Sequence, residues 1–582
     1  MRTNTRVDFG LYDVTARGDS QPMSAAAWPW ADVAKDLKLE KRPAMPKYGT
    51  LEYRQFLMDG SFELFPDEPR KKFWGLWSRQ QSGPDGHFDT PPMLEVLFSQ
   101  PHSSAGITLH FYSPTEDWAS EVQIQWYNAA GVQMHSAQFT PDAADYYCAS
   151  KVDGYTKLQI VFLATNHPGR YLKLSGLDYG VSLTFAGQEV VTAHVLEEVD
   201  PLSNEISINT LNLTLYNREG KFSILNPQGV FDVLQAKQKF TVWEDVRQTP
   251  RSPDVVSHNM GTFYLSEWSN TSDTLADFVA TDAIGLLDAA PHNGGIYDTT
   301  AGELVADILD GYEYQLDAAL SKERIKGYLA IGTRRSALQQ VAFALGAVVD
   351  CSRSDKIKIY PPQERPSALI TYQRKMMGSK VLLRPLITGV AVTAHQYQLG
   401  DSTEELYKDT LPIGTHQITF SEPAASIHVT GAAVIDDGNN YAIVKVTTVG
   451  EVIITGRKYA DAKTVIQQQA ADLPPNAQDN VLQVESATLV SPDRAAAVVA
   501  RILEYYSRRY EQSFKLVAGD ELLADMLIVE SFGGEKVRGS LEKMEFDLTG
   551  GYIANAQVVG RRMVSTAAAY SGEIRSGERS LL

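Results

Sequence analysis

Apolar and polar residues alternate with a period of two over much of this chain. Ile107–Ser113 (ITLHFYS), Glu121–Asn128 (EVQIQWYN) and Lys157–Thr165 (KLQIVFLAT) are clear cases. In an extended chain successive side chains point to opposite faces, so the pattern predicts strands buried on one side. Gly, Pro, Asn and Asp separate these runs as turns. Short strands at this spacing predict a β-sandwich over 51–184, of jelly-roll type. The first 50 residues, rich in Ala, Pro and Trp, predict an extended arm that drapes over a neighbour or is partly disordered in isolation.

The same period continues over 185–290, through "ISINTLNLTLYN", "FSILNP", "MGTFYLSEWSN" and "DFVATDAIGLLD", ending in a short helix that Asp282 is placed to cap. It then changes. Thr300-Ala301-Gly302-Glu303 is a capping box that opens a helix running to Leu309 and stopping at Gly311. Ser336-Ala337-Leu338-Gln339 reads as a second, with Leu338, Val341 and Leu345 on one face before Gly346. A strand over Lys356–Tyr360 ends at Pro361-Pro362, so 291–380 reads as an α+β module.

Beyond Lys380 the chain returns to strands: "HQITFSE", "SIHVTGAAVIDDGNNYAIVKV" and "EVIITGRKY" form a meander turned at Gly438-Asn439-Asn440. Asp472–Asn480 reads as a linker. Ser491-Pro492-Asp493 starts a helix with a capping serine and a proline at its first position, burying Val498, Val499, Ile502, Leu503 and Tyr506. The last strands turn at Gly533-Gly534 and Gly550-Gly551, and 563–582 reads as a flexible tail.

At 582 residues the chain exceeds a single core and predicts about four domains. Its 27 tyrosines and 8 tryptophans suit β structure or partner-stacking surfaces. A formal charge of −18 without a basic cluster argues against a free-standing nucleic-acid binder, although it suits a conduit through which nucleic acid slides. Cys148 and Cys351 form no disulfide framework and lack zinc-ligand companions, so both read as buried small hydrophobes. The start of the chain lacks the apolar stretch of a signal peptide. The longest apolar run, Val341–Val349, is too short to span a bilayer. Synthesis in the cytoplasm is the expectation.

Candidate chemistry is sparse. The acidic pairs Glu197/Glu198, Asp436/Asp437 and Asp67/Glu68 are adjacent in sequence, and neighbours on a strand face opposite ways, so none makes a glycosidase dyad. His194 reads as a partner of Glu197 and Glu198. No zinc-protease, nucleophile-elbow, P-loop or dinucleotide motif occurs. The expectation is no catalytic residue, no metal and no cofactor. Trp74, Trp77 and Trp118 are the candidates for stacking on a pyranose face, while Trp126, with Ile124 and Tyr127, reads as sandwich core. Trp74 and Trp77 stand beside Arg70, Lys71 and Lys72, which leaves an exposed or an interface role open.

Three stretches, Glu197–Asp288, Gly327–Pro362 and Asp493–Asp520 with the strands that follow, resemble in order and spacing the hub proteins at the distal end of bacteriophage tails. "LMDGSFELFPDEPRKKFWGLWSRQ" is similar to the opening of prophage tail proteins that carry a sandwich. The resemblance implies a mainly β, multidomain chain with α+β modules. The N-terminal sandwich is like a carbohydrate-binding module, and two tail-tube-like β-barrel hub domains follow. The barrels fall at 185–290 and at 381–400 with 481–562, and a β domain over 401–480 is inserted in the second. It also implies a virion protein assembled in the host cytoplasm: a homotrimeric tail-tip or baseplate hub. Such a hub contacts the tail tube or distal tail protein, the tape-measure protein and a spike or fibre, around a channel that DNA passes through. The alternative is a receptor-binding protein that grips host cell-wall carbohydrate through the sandwich.

Overall fold

The computed structural model describes residues 2–23, 30–32, 52, 75–217, 220–223, 225–226, 229–247, 255–376, 379–471 and 473–563. The tail expected beyond 563 and most of the expected arm lie outside these residues, as do Asp67, Glu68 and Trp74.

Among the described residues thirteen strands form one sheet. In chain order they are β1 (Arg2–Tyr12), β2 (Gly180–Ala186), β3 (Val190–Glu198), β4 (Thr210–Tyr216), β5 (Lys239–Arg247), β6 (Val256–Ser272) and β7 (Leu275–Thr281). The others are β8 (Pro366–Ile370), β9 (Lys380–Leu383), β10 (Tyr510–Val517), β11 (Met526–Glu530), β12 (Lys536–Asp547) and β13 (Ile553–Met563). The spatial order is β2-β1-β5-β6-β7-β4-β3-β12-β13-β10-β9, with β11 beside β12 and β8 beside β11.

Residues 2–12 are therefore not an arm. Val7, Phe9 and Leu11, separated by Asp8 and Gly10, are buried, and Phe9 stacks on Phe240 with ring centroids 4.2 Å apart. That stripe gives the segment a sheet face to fill between β2 and β5. Burying each such side chain contributes about 1.5–3 kcal/mol. Leu211, Leu213 and Leu215 of β4 and Ala276, Phe278 and Ala280 of β7 complete the same core. Nor are the two expected barrels closed. The first seven strands are antiparallel throughout, the second set includes the parallel pair β8 and β11, and the two sets share one open sheet.

A second core holds the α+β module. The helix Ala301–Ile308 has the capping box expected of Thr300 and Glu303. The next helix, Arg334–Leu345, begins two residues before the expected box: Thr333 caps it, accepting from the Ser336 N–H, so Ser336 is the third helical residue. Arg334 and Arg335 are good helix formers and extend the helix toward the first available side-chain cap. Gly346 ends it with φ +72°, a left-handed conformation that favours glycine. The helix Pro492–Tyr506 packs on this core through Ala495, Val498, Val499 and Ile502.

Eight strands form a separate sheet folded around its own core, which holds Trp126, Ile124, Phe111 and Phe162. Two of its strands, Met93–Phe111 and Asp145–Thr165, are long and break register between Leu97 and Gly106, which lets them bend around that core. The strands Gln21–Met23 and Trp30–Asp32 join this sheet. Residues 389–484 build the last unit. Gly389–Leu411 is continuous through residue 400, where a division was expected, because it pairs along its length with Gly450–Gln469. A small core around Val444, Val446, Val452 and Ile454 lies at the far end of this ladder.

Candidate functional site

The two sets of strands join where β3 pairs with β12, from His194 opposite Asp547 to Glu198 opposite Lys543. Alternation turns Ala193, Val195 and Glu197 inward. Glu197 is thus a carboxylate in an apolar core. Arg353 meets it with Nε 3.1 Å from Oε1, and the guanidinium lies 5.2 Å from the Phe546 ring centroid. Burial pushes the Glu197 carboxyl up, against the pull of Arg353. Glu198 points outward toward Lys543, at 3.6 Å. The pair is split between faces, as alternation requires. His194 does not partner these carboxylates; it also faces outward, and its Nδ1 lies 4.0 Å from Asp547.

Beside the seam is a polar cleft of about 300 Å³ between β12, the loop after β3 and the helix Pro492–Tyr506. Arg384 organises it. Its Nε donates to Glu511 at 2.9 Å, Nη1 to the Tyr505 hydroxyl at 3.0 Å and Nη2 to Glu542 at 3.3 Å. Burial pushes the Glu542 carboxyl up to about 7, with Arg384 opposing. Arg384 directly follows β9, so this network anchors the outermost strand of the sheet. All four residues of β9 are exposed, and three of them are Val381, Leu382 and Leu383. Among the described residues no strand pairs with the outer side of β9, and an apolar edge of this kind is open to pairing with another strand.

The tryptophan candidates fall in different environments. Trp126 is fully buried in the sandwich core. Trp77 is half-buried against Tyr112, with the Lys173 ammonium 5.1 Å from its ring centroid. Trp118 is half-buried against the same core, and its backbone N–H donates to Asn166 Oδ1 at 3.0 Å. The structure brings Trp77, not Trp118, into a charged cluster with Glu52, Asp117 and Lys173. Sequence reading missed this cluster because its members are 65 and 56 residues apart along the chain. Asp436 and Asp437 border the expected turn, where Asp436 accepts from the Tyr441 hydroxyl at 2.8 Å. Asn440 of that turn donates to the backbone oxygens of Asn293 and Leu329, docking the meander on the α+β module.

Cys148 and Cys351 are buried, and burial pushes the Cys148 thiol up to about 12. Among the described residues no group of three His, Cys, Asp or Glu could hold a metal ion, and no helix is long and apolar enough to cross a membrane.

No family model matches the chain, and no curated protein matches it by sequence. Solved structures do. The chain is similar to phage tail proteins. A 43 kDa tail protein of prophage MuSo2 from Shewanella oneidensis aligns at 8% identity and TM-score 0.36, over 65% of this chain and 95% of that one. Prophage tail protein gp18 from Listeria monocytogenes aligns at 7% and 0.38, over 66% and 92%. A tail protein from Neisseria meningitidis aligns at 9% and 0.39, over 65% and 93%.

Proposed function

We propose that this chain is a structural component of a phage tail tip or baseplate. In this reading it is a trimeric hub that joins a hexameric tail tube to a central spike or fibre and lines the channel for DNA. The observation that carries the reading is the single sheet running from β2 to β9 across both sets of strands. The sheet makes the two sets one rigid body and leaves an apolar edge at β9. A head-to-tail contact between that edge and the β2 edge of the next copy is heterologous, and it closes into a ring when the rotation per copy is a third of a turn. Two strand sets in each of three copies then present six sheet segments to a sixfold tube. The acidic balance of the chain keeps passing DNA from adhering. The contribution of the protein is geometric, with no reaction assigned to it. Its partners in this reading are the tail tube or distal tail protein, the tape-measure protein and the spike or fibre.

Light scattering on the purified chain, alone and with a tail-tube protein, tests the proposal. The expected mass is three times 64.2 kDa. A particle that stays at the monomer mass under both conditions, or a closed dimer, overturns it. Electron micrographs of the particle distinguish a ring with a central opening from a solid trimer.

A further inference from the structure

We propose that Lys173 and Asp117 become joined by an intramolecular isopeptide bond, with Glu52 carrying the protons. The site lies inside the folded sheet of the N-terminal unit. Lys173 stands on the strand Tyr171–Asp178, and Asp117 on the turn before Ala119–Tyr127. The Lys173 Nζ is 2.8 Å from Asp117 Oδ2 and 2.8 Å from Glu52 Oε1, and all three side chains are 1–2% exposed. Lysine Nζ lies 5.1 and 5.6 Å from the ring centroids of Trp77 and Tyr112, which meet edge to face at 5.8 Å and keep water out.

The two oxygens of Asp117 are differentiated. Oδ2 receives the Thr115 hydroxyl at 2.6 Å as well as Lys173. Oδ1 has no hydrogen bond but lies 3.3 Å from the Arg170 Nε. Oδ1 is thus set to become the amide oxygen, with a guanidinium beside it as negative charge develops, and Oδ2 is set to leave.

Glu52 takes a proton from the Lys173 ammonium and frees the lone pair of Nζ, which attacks the Asp117 carboxyl carbon. The Nζ–C bond forms and the C–Oδ2 bond breaks. Glu52 takes the second proton in turn and delivers both to Oδ2, which departs as water. One ammonium and one carboxylate become one amide and one water. No oxidant or co-reactant is consumed, and Glu52 is restored. Holding the two groups in contact replaces a bimolecular condensation by a unimolecular one. The product also removes two of the four charges buried together at Glu52, Asp117, Arg170 and Lys173, which is the costly feature of a buried ion cluster. The bond would bridge 56 residues and tie the strand at 171–178 to the entry of the strand at 119–127 against mechanical load.

Mass spectrometry of the purified, denatured full chain decides the matter. The expected intact mass is lower than the sequence mass by one water, and a tryptic digest contains a branched peptide joining Asp117 to Lys173. Glu52→Gln is expected at full sequence mass with no branched peptide. A wild-type chain without the branched peptide overturns the bond, and this result needs no variant to fold. A branched peptide undiminished in Glu52→Gln overturns the assignment of Glu52.

Discussion

Arg353 reaches from the α+β core into the seam of the large sheet and places its Nε 3.1 Å from Oε1 of Glu197, both side chains being buried. It does so from a backbone with φ +50°, a left-handed conformation that is uncommon away from glycine. The same guanidinium touches Met544 on β12, the strand that β3 pairs with. One side chain thus bonds to both strands of the seam and binds the α+β module to them. In the proposed hub, this contact is where the two sets of strands and the α+β module are tied together.

Removing one partner leaves the other charged and buried. Arg353→Ala is expected to destabilise the chain by about 3–5 kcal/mol, and Arg353→Met with Glu197→Gln to recover a large part of that loss. Urea unfolding of the single and double variants, with equal denaturant dependence, checks both. A cost below that of an ordinary surface substitution would show that the seam does not depend on this pair.

His110 sits between Asp178 and Asp145, with Nε2 2.9 Å from the first and Nδ1 2.6 Å from the second. The Asp178 contact is the larger cause that raises its pKa to about 9, against desolvation. The folded value lies above the unfolded value of about 6.5. The stabilisation is therefore complete below pH 6.5 and is lost as pH rises through about 9. Glu542, raised to about 7, loses its contribution earlier, between the ordinary carboxylate range and 7. Between about pH 7 and 8.5 the difference between the wild type and a His110 variant reads His110, because raised carboxyls such as Glu197 are common to both. The pair is a third exposed, so screening leaves about 1 kcal/mol. The expected loss of stability over that interval is absent in His110→Gln, as thermal unfolding against pH would reveal.

Thr300 and Thr333 each cap a helix through the side-chain oxygen. Replacing either by alanine is expected to cost about 1 kcal/mol, whereas Ser336→Ala, inside its helix, costs less. Equilibrium unfolding of the three variants orders them. Ser336→Ala costing as much as Thr333→Ala would return the cap to Ser336.

Local signals in the sequence were legible and long-range ones were not. Thr300 and Glu303 are three residues apart and specify their box without help from the rest of the chain. The turn at Asn439-Asn440 is as local, yet its docking on Asn293 and Leu329 depends on residues more than a hundred positions away. Val7, Phe9 and Leu11 alternate as strand residues do. The compositional bias of the following Ala, Pro and Trp masked them, and only pairing with Thr241 and its neighbours on β5 makes them core. Lys173, Glu52 and Asp117 carry no local pattern: each is an ordinary charged residue until folding removes its water.

Val381 and Leu382 lie opposite Gln512 and Glu511 on β10, while the other side of β9 has no strand among the described residues. Leu382 is 43% exposed, so a charge there meets solvent in the isolated chain. Leu382→Lys is therefore expected to change stability by no more than about 0.5 kcal/mol. In an assembled ring the same side chain is covered by the next copy, and a lysine there is desolvated at all three joints. The variant is expected to remain folded and to run at 64.2 kDa in light scattering where the wild type runs at three times that mass. Lysine on an edge strand is also the usual means of blocking strand addition, so it opposes the joint both by charge and by shape. A Leu382→Lys chain that still forms the trimer would move the joint away from β9 and to another part of the surface.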